Sequence, residues 1–118
     1  MNLSQRVNDL QTYIKTGRII EAMNEFYAQD CAMQENANAA CVGLAANIER
    51  EKQFLAQVKE WKGYTVKSLA VNGETAFVES AIDFVNQQGQ PVHMEQVSVQ
   101  RWKGGKIAHE RFYYNAGK

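Results

Sequence analysis

Two cysteines, one proline and no net charge mark this 118-residue chain, and each shortage excludes something. Cys31 and Cys41 are too few and too isolated to read as a disulfide framework or a zinc site. The 13 basic and 13 acidic residues cancel, so no global field draws nucleic acid or an anionic membrane. No apolar run approaches the roughly 18–20 residues that span a bilayer. Met1 to Arg6 lacks the basic-then-apolar pattern of a signal peptide. The expected setting is therefore the cytoplasm, with reduced thiols, no membrane and no nucleic acid. His93 and His109 have no helical partner histidine or clustered carboxylate, which argues against a metal. Phosphate-cradling glycines are missing too, because Gly104-Gly105 reads as a hairpin turn and opens no helix. No cofactor is expected.

What is present is patterning. A length of 118 residues fits one domain with a core of its own. Leu3, Val7, Leu10 and Ile14 recur at helical spacing, and Gly17 is placed to end that helix. A second helix is predicted through Ile19, Ile20, Met23, Phe26 and Tyr27. Asp30 to Asn36 reads as a first strand, with Met33 and Glu35 on one side, and Asn36 to Ala40 as a loop. A third helix is predicted from Leu44 to about Trp61, with Leu44, Ile48, Leu55 and Val58 on one face. Lys62-Gly63 then releases the chain into a strand through Tyr64, Val66, Ser68 and Ala70. Asn72-Gly73, Gly89 and Gly104-Gly105 are turn signals separating the last four strands into an antiparallel meander. The sole proline, Pro91, lies beside one of those turns.

The even-numbered residues of the meander make one face: Val78, Ser80, Ile82 and Phe84, then Met94, Gln96, Ser98, Gln100 and Trp102, then Ala108, Glu110, Phe112 and Tyr114. This face is apolar at its edges and polar in its middle, the lining of a small-molecule pocket. Its composition depends on register. Three-residue turns with a left-handed glycine keep even residues opposite even residues; a two-residue Gly104-Gly105 turn pairs Glu110 with Val99. The first register is preferred, since it gathers Val78, Ile82 and Phe84 under the helices.

The order helix, helix, strand, long helix and meander resembles the nuclear transport factor 2-like superfamily. Arg101-Trp102-Lys103-Gly104-Gly105-Lys106-Ile107 and His109-Glu110-Arg111-Phe112-Tyr113-Tyr114 resemble the closing hairpin of its SnoaL-like members, and Phe26 to Asn36 resembles their helix-to-strand passage. The resemblance implies a single α+β domain over residues 1–118. Its three helices would pack on a strongly curved, mainly antiparallel sheet, a cone with an internal pocket. The resemblance to the steroid isomerase branch matches its base, tyrosine and acid to Glu35, Tyr13 and Ser98. Serine cannot serve as that acid, which argues against steroid isomerisation. SnoaL-like cyclases carry a histidine near Glu110 and an acid near Ser98, so a close copy of their reaction is not implied either.

Glu35 and Glu110 form the candidate catalytic pair, because enclosure by Met33, Phe112 and Trp102 would desolvate a carboxylate and raise its pKa. The bland readings are an ionised Glu35 at the pocket mouth and a structural bond from Glu110 to Arg50 or Arg111. Tyr13, Met33, Gln96, Ser98, Gln100, Trp102, Phe112 and Tyr114 are the candidate substrate contacts. The Arg50-Glu51-Lys52 run reads as a solvated face, although Asn47, Glu51 and Phe54 fall where they could rim the pocket. The odd face, with Phe77, Val97 and Val99 among Glu79, Glu95, Arg101 and Tyr113, has the composition of a homodimer contact. Two functions stay open. One is a cofactor-independent isomerase, cyclase or lyase acting on an apolar carbonyl or cyclic substrate. The other is a non-catalytic module for a hydrophobic ligand or for dimerisation.

Overall fold

The computed structural model describes residues 2–115. Asn2 opens α1 (Leu3–Lys15) by accepting the Gln5 backbone N–H on its side-chain oxygen, which satisfies one of the donors every helix start leaves free. At the other end Gly17, at φ 77°, donates to the Ile14 carbonyl while Arg18 donates to that of Tyr13. This double closure needs a left-handed residue, and the helix stops at the glycine as its sequence predicts. Then come α2 (Ile19–Phe26), β1 (Tyr27–Glu35), β2 (Cys41–Val42) and α3 (Leu44–Leu55). The meander is β3 (Val58–Asn72), β4 (Thr75–Asn86), β5 (Pro91–Lys103) and β6 (Lys106–Tyr114). All six strands join one mixed sheet in the order β2-β1-β6-β5-β4-β3, antiparallel at every pair except β1–β6.

Four details differ from the sequence reading, each for a physical reason. The third helix ends at Leu55, and Val58 and Trp61 belong to β3. The carbonyls just beyond it are met from a distance: the Gln87 amide donates to Ala56 and Val58, and the Gln87 N–H donates to Gln57. Local propensity carries no trace of that partner. Tyr27 is not helical; it leaves α2 in an extended conformation and starts β1. In β3 the inward residues are Tyr64 and Val66 and then Leu69 and Val71, while Ser68 and Ala70 face solvent. A bulge at Lys67 switches the phase, since Val66 pairs with Ser80 but Ser68 with Glu79. Finally, Gly104-Gly105 is a two-residue turn with both φ positive, flanked by the pair Lys103 and Lys106. The even register survives because Ala108 is bulged out of β6: Trp102 pairs with Ile107, yet Gln100 pairs with Glu110.

The core lies at one end of the concave face. Val7, Leu10, Ala22, Met23 and Phe26 from α1 and α2 pack on Ala76, Val78, Trp102 and Ile107 of the sheet. Full burial of a side chain such as Leu10, Phe26 or Ile107 contributes about 1.5–3 kcal/mol. Arg6 locks this end, donating to the Gly105 carbonyl at 2.7 Å and pairing with Glu25 at 3.1 Å. No helix among the described residues is long and apolar enough to cross a membrane. The filled core stops at Gln100 and Glu110, and beyond them the concave face stays hollow.

Candidate functional site

The hollow is a cavity of about 370 Å³, within the usual size of small-molecule sites. Its floor is the even face of β5 and β6, where Gln96 pairs with Tyr114, Ser98 with Phe112, and Gln100 with Glu110. The parallel β1 adds Met33 beside Glu110 and Glu35 beside Phe112. One wall comes from Trp61 and Tyr64 of β3 with Ile82 of β4. The roof is one face of α3, where Asn47, Glu51 and Phe54 are spaced by four and three residues.

At the floor, Glu110 is only 2% exposed. One carboxylate oxygen accepts from the Tyr27 hydroxyl; the other accepts from Ser98 at 2.5 Å and from the Gln100 amide at 3.1 Å. Gln100 is oriented in turn, because its carbonyl end accepts the Trp102 indole N–H at 3.1 Å. Burial pushes the Glu110 carboxyl above the ordinary range, against the pull of these three donors, Ser98 first. Burial, and then the Glu110 charge, hold the Tyr27 phenol well above its usual value.

On the roof, Glu51 is half-buried, and its carboxylate has no hydrogen-bond partner among the described residues. Burial raises it to about 7, helped by the charge of Glu110 and opposed by Arg50. Burial likewise lifts Tyr64 to about 12; its hydroxyl donates to the buried Gln11 at 2.5 Å. At the mouth, Glu35 is engaged on both oxygens, by Arg50 at 2.5 Å and by the Tyr114 hydroxyl. Trp61 brings an indole N–H that is buried and has no acceptor among the described residues. Among the described residues, no group of three His, Cys, Asp or Glu side chains is arranged to hold a metal ion.

Residues 10–110 match the model of the SnoaL-like domain. The chain belongs to the SnoaL-like domain family. Among solved structures, a candidate SnoaL-like polyketide cyclase from Mesorhizobium loti is 27% identical, with a TM-score of 0.80 over 97% of this chain and 100% of that one. A candidate cyclase of the same kind from Jannaschia is 15% identical at a TM-score of 0.82, covering 96% of this chain and 85% of its own. A candidate isomerase from Bacillus subtilis is 16% identical at 0.80, covering 98% and 90%. The last two likenesses show a shared fold. Among curated proteins, none matches this sequence.

In this SnoaL-like domain Glu35, Glu110, Met33, Gln96, Ser98, Gln100, Phe112 and Tyr114 all line the one cavity. Two other candidate contacts lie elsewhere. Trp102 is buried in the core and reaches the cavity only through Gln100. Tyr13 packs edge-on against Phe26, carries the Arg18 guanidinium on its ring, and lines a separate crevice with Arg6 and Asp9. The readings of Glu110 as a partner of Arg50 or Arg111 are not what the structure shows: Arg111 donates to the Asn36 carbonyl and Arg50 to Glu35. Sequence reading places Tyr27 in a helix. It reads the Arg50-Glu51-Lys52 run as a solvated face but also sets Asn47, Glu51 and Phe54 where they could rim the pocket, and all three line it. Glu51 did leave a signal, since it fills the gap in the apolar stripe Leu44, Ile48, Leu55.

Proposed function

We propose that this SnoaL-like domain binds a small, largely apolar carbonyl or cyclic compound and moves a proton on it without a cofactor, as isomerases and cyclases do. The observation that carries the reading is Glu51, a carboxylate half-buried in the cavity with no hydrogen-bond partner among the described residues, its pKa raised by burial to about 7. A base works best when its pKa lies near the working pH, because it is then both available and strong. In the proposed step Glu51 takes a proton from a carbon next to the substrate carbonyl, and the electron pair moves onto the carbonyl oxygen. The Gln96 amide on the cavity floor is the donor offered to that oxygen. Returning the proton to another carbon completes an isomerisation. Glu110 acts as the second carboxyl, its charge keeping Glu51 basic.

Sequence reading gave the role of base to Glu35. With both of its oxygens engaged, Glu35 instead shapes the cavity mouth in this proposal. The two assignments separate experimentally. On enolisable ketones or lactones, Glu51→Gln lowers turnover by about 10²–10⁴, the usual worth of a general base, and Glu35→Gln lowers it far less. Equal turnover for Glu51→Gln and the unaltered protein removes Glu51 as base.

A second reading, a non-catalytic ligand-binding module, draws on the completeness of the Glu110 network, in which three protein donors leave no task for a substrate. It predicts that Glu51→Gln binds ligand as well or better. Under either reading we propose a homodimer through the convex sheet face, where Phe77, Val97 and Tyr113 are exposed on neighbouring strands. Val97→Asp is then monomeric by sedimentation while the unaltered protein is dimeric; a monomeric unaltered protein refutes the pairing.

A further inference from the structure

We infer that the ligand of this cavity carries a cationic nitrogen, a quaternary or protonated amine held between Glu51 and Glu110 inside aromatic walls. The inference rests on the reading above in taking these two carboxylates as the working groups of the site, and it narrows the substrate class. The charge inventory comes first. Among the described residues three carboxylates line the cavity against a single guanidinium, Arg50, and that cation is committed to Glu35 at the mouth. No lysine lines the cavity among the described residues. Glu51 keeps only the through-space pull of Arg50, and Glu110 has no ion pair among the described residues; buried charges are ordinarily paired or neutralised.

Hydrogen bonding at the floor points the same way. The Trp102 N–H occupies the Gln100 carbonyl, so the Gln100 NH₂ is turned toward Glu110. Tyr27 and Ser98 present hydroxyls to the same carboxylate. Donors on both oxygens favour the anion over the acid, so the floor is set for negative charge although burial opposes it. The walls supply Phe54, Trp61, Tyr64, Phe112 and Tyr114, whose ring faces attract a cation. An anionic ligand meets two like charges and no free guanidinium. A neutral ligand leaves the carboxylates to find their own protons.

Choline and its uncharged carbon isostere 3,3-dimethylbutan-1-ol have nearly the same shape, so comparing them by isothermal titration calorimetry isolates the charge. At pH 8 choline is expected to bind on the order of tenfold tighter than the alcohol. Choline loses no proton near neutral pH, so protons released on binding near pH 7 come from the protein, and buffers of different ionisation heat count them. Release is expected with the unaltered protein and reduced in Glu51→Gln. The preference falls at pH 5.5, where Glu51 is protonated. The other titratable groups facing the pair are Glu35, Arg50, Cys31 and the phenols of Tyr27, Tyr64 and Tyr114. Equal binding of the two compounds, tighter binding of the alcohol, or no saturable binding of choline overturns the inference. The two readings fail separately. Turnover unaffected by Glu51→Gln removes proton transfer and leaves choline selectivity standing, whereas equal binding of the isosteres leaves proton transfer on a neutral substrate standing.

Discussion

Replacing Glu51 by glutamine should stabilise the protein above neutral pH. The Glu51 carboxyl rises from an ordinary 4.5 to about 7 on folding, mainly by burial. A group that holds its proton more tightly when folded favours folding most at low pH, and that contribution is lost as pH climbs through the folded value. Fully ionised, the folded state therefore carries a penalty of about 3 kcal/mol relative to the protonated form. Glutamine keeps the shape of the protonated acid and cannot ionise. Urea unfolding of both proteins from pH 4 to 9 is the assay. The difference should be near zero at pH 4, open between pH 5 and 8 in favour of Glu51→Gln, and then level off. A constant offset, or a more stable unaltered protein at pH 8, refutes the placement of Glu51 in a desolvated site. So large a penalty on a residue with no structural partner is the kind of cost an active site carries.

Two further outcomes follow from the same geometry. Tyr27→Phe removes a donor from the buried Glu110 carboxylate; it should lower stability at pH 8 by about 1–3 kcal/mol, with less effect where Glu110 is protonated, as urea unfolding at two pH values would show. Ala108 is the one extra residue of the β6 bulge, so deleting it lets the pair Trp102–Ile107 run straight on into Arg101–His109 and leaves Glu110 opposite Gln100; contacts between Glu110 and Ser98 should persist in NMR spectra of the deletion variant, and their loss would show that the register does not follow from this count.

The legible parts of this fold are those where one period runs unbroken. β4 and β5 pair from Thr75 with Arg101 to Val85 with Pro91 without a slip, so alternation alone places Val78, Ser98 and Gln100 on the inner face. β3 has three bulges over fifteen residues, and each shifts the phase, so Leu69 and Val71 were hidden behind Ser68 and Ala70. The Gly104-Gly105 turn and the Ala108 bulge are two departures that cancel, which is why a register argued from three-residue turns lands on the observed pairing. The end of α3 was invisible because Gln87, thirty residues on, closes it. Within the site, strand parity exposes Glu35 and Glu110 directly. For Glu51 two readings compete, a solvated face shared with Arg50 and Lys52 or a pocket rim shared with Asn47 and Phe54, and charge spacing alone does not choose between them.

The bond from Trp102 to Gln100 ties the packed half of the molecule to the hollow half. A core residue that never reaches the cavity decides which end of an amide faces Glu110. A phenylalanine at that position would fill much the same space, yet it would free Gln100 to turn its oxygen toward the carboxylate. The interior of this domain is therefore not neutral ground for selection: a search for altered ligand preference that samples only the cavity walls would miss a control point one layer behind them.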